Sequence, residues 1–268
     1  MIPSMSSGNS PSIREPDLAN AERKSFSLLQ RYSIDEPGFN IDDLAFAMDI
    51  DVREGGLEDA DAWLFRRKNG KGIIRLNSNT FNRQRRRFSI AHELGHWEMH
   101  PNLKQGKFCT AENLSDYIKS PEEIEANWFA ATLLMPRFMI RDYITGGDAD
   151  FKLIDRITDE FKTSRTAAAR RFIELTTQRT ILISSTNGKV NWHVKSPAAK
   201  FYALESLTVL PESLTARVIA SKTNPPESES LPPEIWLREN PVHAVEELFE
   251  DVRYSERLNT ALTLLWFP

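Results

Sequence analysis

With 268 residues, 40% of them hydrophobic, 10% aromatic and 27% charged, the chain can build one large or two modest cores and is neither fibrous nor compositionally disordered. A net charge of −4 argues against nucleic acid as the obligatory partner of the whole molecule, and the single cysteine, Cys109, excludes an internal disulfide and a thiolate cluster. No apolar run is long enough to span a bilayer, so no membrane association is expected.

The first sixteen residues, MIPSMSSGNSPSIREP, lack the apolar stretch of a signal peptide and are expected to form a disordered leader on a cytoplasmic protein. Residues 17–31 read as a helix with Ala21, Phe26, Leu28 and Leu29 on its apolar side, and a second helix is expected over 41–48. Three short extended runs follow, near 51–53, 62–67 and 72–77. The last two are joined by Lys68-Asn69-Gly70-Lys71, where Asn-Gly tolerates the positive φ of a hairpin turn.

From Thr80 the pattern becomes helical, with Phe88, Ala91, His92, Gly95, His96 and Met99 on one face and Pro101 ending the run. After a polar loop, Ser120-Pro121 marks the start of a further helix that runs to about Met135. Residues 152–177 offer two helices separated by Lys162-Thr163-Ser164. Beyond them the pattern changes to strands, including 181–184 and 189–194 around an Asn187-Gly188 turn, and a final pair at 246–254 and 260–267. The Pro- and Ser-rich stretch 224–233 reads as a surface loop.

The chemistry is carried by His92-Glu93-Leu94-Gly95-His96. On a helix the two histidines at i and i+4 reach one ion, and imidazole suits zinc, while the adjacent Glu93 lies about 100° round the helix, where it can deprotonate a water without being a ligand. The competing reading, two structural histidines on a buried helix, is disfavoured by the amphipathic flanks and by the small Gly95. A catalytic zinc site needs a third protein ligand. His100 continues the same straight helix face and cannot wrap the ion, so it is expected beside the site or at the surface. The acidic start Glu122-Glu123-Ile124-Glu125 supplies candidates from another helix, although Glu123 could equally close a capping box with Ser120.

The runs RFSIAHELGH and EEIEANWFAATLLMP, with the upstream IIRLN, resemble the ImmA/IrrE family of zinc metallopeptidases, which carry HExxH with a downstream ExxxN or ExxxD. This resemblance covers roughly residues 17–179. It implies His92, His96 and Glu123 as ligands of one Zn2+ per chain, ahead of Glu125 and Glu122, with Glu93 as general base and Asn127 supporting the site without binding metal. It also implies a protein substrate of the helix-turn-helix repressor class, cleaved in a stress or mobile-element response. Tyr117, Arg137 and His193 are candidates for substrate or oxyanion contacts.

Residues 152–179 hold seven basic and four acidic side chains, a balance of +3, in a helix-turn-helix-like layout. Direct DNA contact there is not favoured, because Ala167, Ala168 and Ala169 offer nothing to read a base edge. Residues 180–268 hold eight basic and eleven acidic side chains, a balance of −3, so this part is expected to sense a ligand, position substrate or form a dimer. The expected fold is α+β: a helical zincin-like peptidase domain with a small three-stranded sheet at 17–151, a helix pair at 152–179 and a β-rich C-terminal domain at 180–268. The rival reading is a DNA- or protein-binding regulatory module with a vestigial metal site. The peptide substrate, which must be extended to be cut, is expected to pair with the strand at 72–77.

Overall fold

The computed structural model describes residues 14–57, 61–78, 82–102, 120–145, 149–239, 242 and 244–268. Its first half is built from α1 (Leu18–Arg31), α2 (Ile41–Ala47), β1 (Ile50–Gly55), β2 (Ala62–Arg66), β3 (Gly72–Asn77), α3 (Arg83–Met99) and α4 (Pro121–Leu134). Local signals set the helix starts. Asp17, Asn40, Asn82 and Ser120 each accept a bond from a backbone N–H of the first turn, and Pro121 sits where a missing N–H costs nothing.

The three strands order as β1-β3-β2, with β1 parallel and β2 antiparallel to β3. The expected substrate strand, 72–77, is therefore the central one. Both of its edges are already paired, so no peptide can add to it, and the expectation is corrected. Among the described residues β2 is an edge. Asn77 N–H donates to Asp61 C=O and Arg67 N–H to Lys71 C=O. Antiparallel alternation then turns the backbone groups of Ala62 and Leu64 away from β3.

The apolar faces of α1 to α4 and of this sheet close one core, including Leu28, Leu29, Ile41, Ile74, Ile90, Leu94, Phe129 and Leu133. A second core joins α5 (Arg137–Ile144), α6 (Phe151–Phe161) and α7 (Arg165–Leu175) to one face of a five-stranded antiparallel sheet through Leu182, Leu262, Leu264 and Trp266. That sheet comprises β4 (Arg179–Thr186), β5 (Lys189–Lys195), β6 (Glu229–Leu231), β7 (Leu248–Ser255) and β8 (Thr260–Phe267), in the order β5-β4-β8-β7-β6. Its other face packs on Tyr202, Trp236 and Leu237, and α8 (Leu214–Ser221) lies against β7. The architecture is α+β, as the sequence predicts.

Three short elements depart from the sequence reading. α5 and α8 are not expected from periodicity, and β6 lies within the stretch read as a loop. Ser164 and Ser213 cap α7 and α8 in the ordinary way. Residues 152–175 form two helices with a turn through Lys162, whose φ is +52°, but α7 is no exposed reading helix. Ala168, Ala169, Phe172 and Ile173 are buried in the second core. Arg165 pairs with Asp155, Arg170 stacks on Trp192, and Arg171 is fully buried, with its Nε donating to Met135 C=O. Among the described residues, no helix is long and apolar enough to cross a membrane.

Candidate metal centre

α3 and α4 cross where Gly95 faces Ala126. A Cβ on Gly95 would lie 3.1 Å from the Ala126 Cα and 3.1 Å from the Phe129 ring. Only hydrogen fits comfortably there, and the close approach brings the start of α4 over the histidine face of α3. His92 Nε2 and His96 Nε2 are 3.0 Å apart, and the two Glu123 carboxylate oxygens lie 3.3 and 3.5 Å from them respectively. All three side chains are buried. The carboxylate of Glu123 thus turns to the histidines, while Ser120 caps the helix through the Glu123 N–H.

The separations fit a tetrahedral ion. Donors about 2.0–2.1 Å from a zinc lie about 3.3 Å from one another at tetrahedral angles. Proton bookkeeping agrees. His92 Nδ1 is 3.0 Å from Asn127 Oδ1, an acceptor, so the neutral ring carries its proton on Nδ1 and its lone pair on Nε2. His96 Nδ1 lies 3.0 Å from His100 Nδ1, and His100 Nε2 lies 2.8 Å from Glu125 Oε2. Because the carboxylate only accepts, neutral His100 is protonated on Nε2 and can accept the Nδ1–H of His96. Two Nε2 lone pairs and a carboxylate then converge, which is an arrangement that a cation satisfies.

Burial holds His96 down to about 4, against the opposing pull of Glu123, so the ring is neutral and competent as a ligand. Burial would lower His92 too, but Glu123, Glu93 and Asn127 together raise it. Burial pushes the Glu123 carboxyl upward, yet the hydrogen bonds to His92 and His96 prevail and leave it far below the usual range. Glu93 is buried one residue along α3 from His92 and raises the pKa of that ring through its charge.

Of the other candidate residues, Asn127 is the partner of His92. Glu125 is buried but faces His100, Arg14 and the Asp17 N–H. Burial would raise its pKa, and hydrogen bonds from those three groups carry it down to about 2. Glu122 lies 3.6 Å from Arg14. Arg137 begins α5, where it pairs with Glu22 at 3.7 Å, and His193 lies on β5 opposite Ile183. Neither belongs to the convergent His92–His96–Glu123 group. Tyr117 and Cys109 lie outside the described residues. The arginine run before the motif is engaged rather than free: Arg85 pairs with Asp61, Arg86 bridges Asp42 and Glu54, and Arg87 donates to Phe39 C=O.

The surroundings of His100 were not readable from spacing, since its partner Glu125 is tied to Arg14 across 111 positions. The HExxH pattern is the legible signal, and the choice of Glu123 among three acidic residues rests on the family resemblance.

Residues 45–172 match the peptidase M78 family, described as an IrrE N-terminal-like domain. Over 118 residues the chain is 30% identical to the uncharacterized immunity region protein 2 of Bacillus phage phi105, which covers 43% of this chain and 68% of that protein. A Mycobacterium tuberculosis transcriptional regulator shares the fold at a TM-score of 0.55 and 14% identity, over 92% of this chain and 87% of its own. The match to the family, across the segment that contains α3 and α4, and the phage relative show that the chain belongs to the IrrE N-terminal-like peptidase M78 family.

Proposed function

We propose that the chain is a cytoplasmic zinc-dependent endopeptidase, in which His92, His96 and Glu123 hold one Zn2+ and Glu93 is the general base. The observation that carries this reading is the convergence of two Nε2 lone pairs and a buried carboxylate at 3.0–3.5 Å separations. Zinc in such a site supplies a Lewis acid that polarises a peptide carbonyl and acidifies water. The Glu93 carboxylate takes a proton from the attacking water and returns it to the amine that leaves, so the chain's own group moves one proton twice. Asn127 and His100 hold the two imidazoles in the tautomers that leave Nε2 available.

A peptide must be extended to be cut, and of the two edge strands of the small sheet we assign it to β2, the one tied to the metal helix. Its Leu64 backbone groups face away from β3, and the Arg66 guanidinium donates to His96 C=O and Trp97 C=O at the end of the metal helix. Main-chain pairing gives register with little sequence preference, so recognition falls to docking of a folded partner. The family resemblance and the phage immunity-region relative support a regulatory protein as that partner, most simply a helix-turn-helix repressor. Residues 17–151 serve as the peptidase module in this proposal, and 180–268 serve to sense, position or pair.

The test offers purified chain with zinc both unfolded casein and a neighbouring helix-turn-helix repressor. Selective, zinc-dependent cleavage of the repressor that is lost in Glu93→Gln, while that variant still binds about one zinc, is the expected outcome. Rapid digestion of casein with the repressor left whole would refute the substrate assignment. Retained cleavage by Glu93→Gln would refute the base.

A further inference from the structure

The two histidines of the metal group are supported unequally. His92 donates to a neutral amide, Asn127. His96 leans on a second imidazole, which leans in turn on a carboxylate, and that carboxylate is fixed by the chain ahead of α1. Glu125 Oε2 accepts from the Arg14 guanidinium at 2.9 Å and Glu125 Oε1 from the Asp17 N–H at 2.7 Å, with a second Arg14 contact at 2.8 Å. Glu125 is 1% exposed and His100 9%, whereas the Arg14 side chain is half exposed. Residues from three separate parts of the chain, 14–17, α3 and α4, therefore meet in one line that ends on a metal-facing nitrogen.

We propose that His100 and Glu125 are positioning residues for His96, and that residues 14–17 anchor this relay, so that the docking of the segment before α1 sets how tightly the site holds its metal. The inference rests on the reading of His92, His96 and Glu123 as metal ligands. With His100 neutral, each bond in the line takes one direction. Arg14 and the Asp17 N–H can only donate to Glu125, the carboxylate can only accept from His100 Nε2–H, and His100 Nδ1 then accepts from His96 Nδ1–H. His96 Nε2 is left as the lone pair. A carboxylate behind an imidazole makes the ligand more electron-rich and fixes the plane of its ring, and the loss of such an outer partner typically weakens metal affinity about 10–100-fold. The neutral partner of His92 cannot supply the same polarisation, so His96 is the ligand that this chain tunes.

Competition with a chromophoric chelator measures zinc affinity of the full-length protein, and the visible bands of the cobalt-substituted form report the ligand field. His100→Phe is expected to lose about 10–100-fold in zinc affinity and Glu125→Gln about tenfold, both with displaced cobalt bands. Arg14→Ala removes a half-exposed side chain outside the apolar cores, and it is expected to lose about threefold with a smaller displacement. His100→Gln, whose side-chain oxygen can accept from His96, should recover part of the loss seen with Phe and keeps the test valid if the Phe variant does not fold. Thermal unfolding of the metal-free variants separates positioning from packing. A lowered melting temperature with unchanged zinc affinity and unmoved cobalt bands would overturn the relay and leave the metal site standing. A parent chain that takes up no zinc would overturn the metal reading itself.

Discussion

Gly95 shows how one residue can decide the geometry of a site without touching ligand. Its missing Cβ lets α4 approach α3 closely enough for Glu123 to reach both histidines, and the atoms a methyl would meet are the Ala126 backbone and the Phe129 ring. Gly95→Ala should gain helix propensity of about 1 kcal/mol but force apart a packed crossing at about 2–3 kcal/mol, near the upper end of overpacking costs because backbone atoms are in the way, for a net loss of about 1–2 kcal/mol. Urea unfolding should show that loss, together with weakened zinc binding, and a variant of equal stability and equal affinity would contradict the close-crossing argument. Glu125 makes a second residue-scale case, through pH. Its folded pKa of about 2 lies below the unfolded value, so the unfolded chain binds the proton first as pH falls. The stability it confers is thus complete above about pH 4.5 and is lost progressively towards about pH 2. The half-exposed Arg14 is screened by solvent, so the contribution should be on the order of 2 kcal/mol. In Glu125→Gln that part of the acid slope should disappear, which unfolding curves of the metal-free protein between pH 5 and 2.5 would reveal.

At the scale of elements, β7 uses adjacent carboxylates to fasten a helix on each face of the larger sheet. Glu250 accepts from the Leu214 and Thr215 N–H groups at the start of α8, from the Thr215 hydroxyl and from Trp236 Nε1. Asp251, pointing the other way, accepts from the Phe151 N–H that opens α6. Burial raises the pKa of both carboxyls, opposed by those same donors. Glu250→Ala would orphan several buried donors, each worth about 1–3 kcal/mol, so a total loss of about 3 kcal/mol or more is expected in chemical unfolding. A loss under about 1 kcal/mol would mean that α8 is held by its apolar contacts alone. This arrangement also explains what the sequence could and could not reveal. α3 was legible because its apolar face, its motif and its terminating proline all lie within the helix's own neighbourhood, although its cap, Asn82, went unread, and the β4–β5 hairpin because Asn187 and Gly188 adopt φ of +52° and +73°. α8 is eight residues of mixed preference whose first turn is completed by a side chain about 36 positions away. β6 exists through three pairings to β7 inside a Pro- and Ser-rich stretch. Propensity carries no record of such distant partners.

Across the whole molecule, the apolar cores divide near Met135 rather than at the change from helices to strands. α1 to α4 and the small sheet close around the metal group, while α5 to α7 share their core with the larger sheet. The helix pair that reads in sequence as a detachable basic module is thereby committed to packing. The edge-to-face pair Phe26–Phe138 crosses the division, and so does a polar set centred on Arg171. Although fully buried, it donates to Met135 C=O at the end of α4, to Glu174 on its own helix at 3.1 Å, and to Glu22 on α1 at 3.4 Å. The Glu174 carboxyl, raised by burial, is held in check chiefly by this one cation. Replacing Arg171 by Met would fill similar volume but abandon a buried carbonyl and two partly exposed carboxylates, at a cost of about 3 kcal/mol. Because the bonds to Glu22 on α1 and to Met135 C=O at the end of α4 tie α7 to the other half, much of the cost should fall on the coupling of the two cores. Calorimetry of the parent is expected to show one cooperative transition, and Arg171→Met two. In the variant, zinc should raise only the transition of the half that carries His92, His96 and Glu123, since a ligand stabilises only the unit that binds it. A single transition that moves as a whole with zinc in the variant would show that the two cores are coupled by packing and not by this buried arginine.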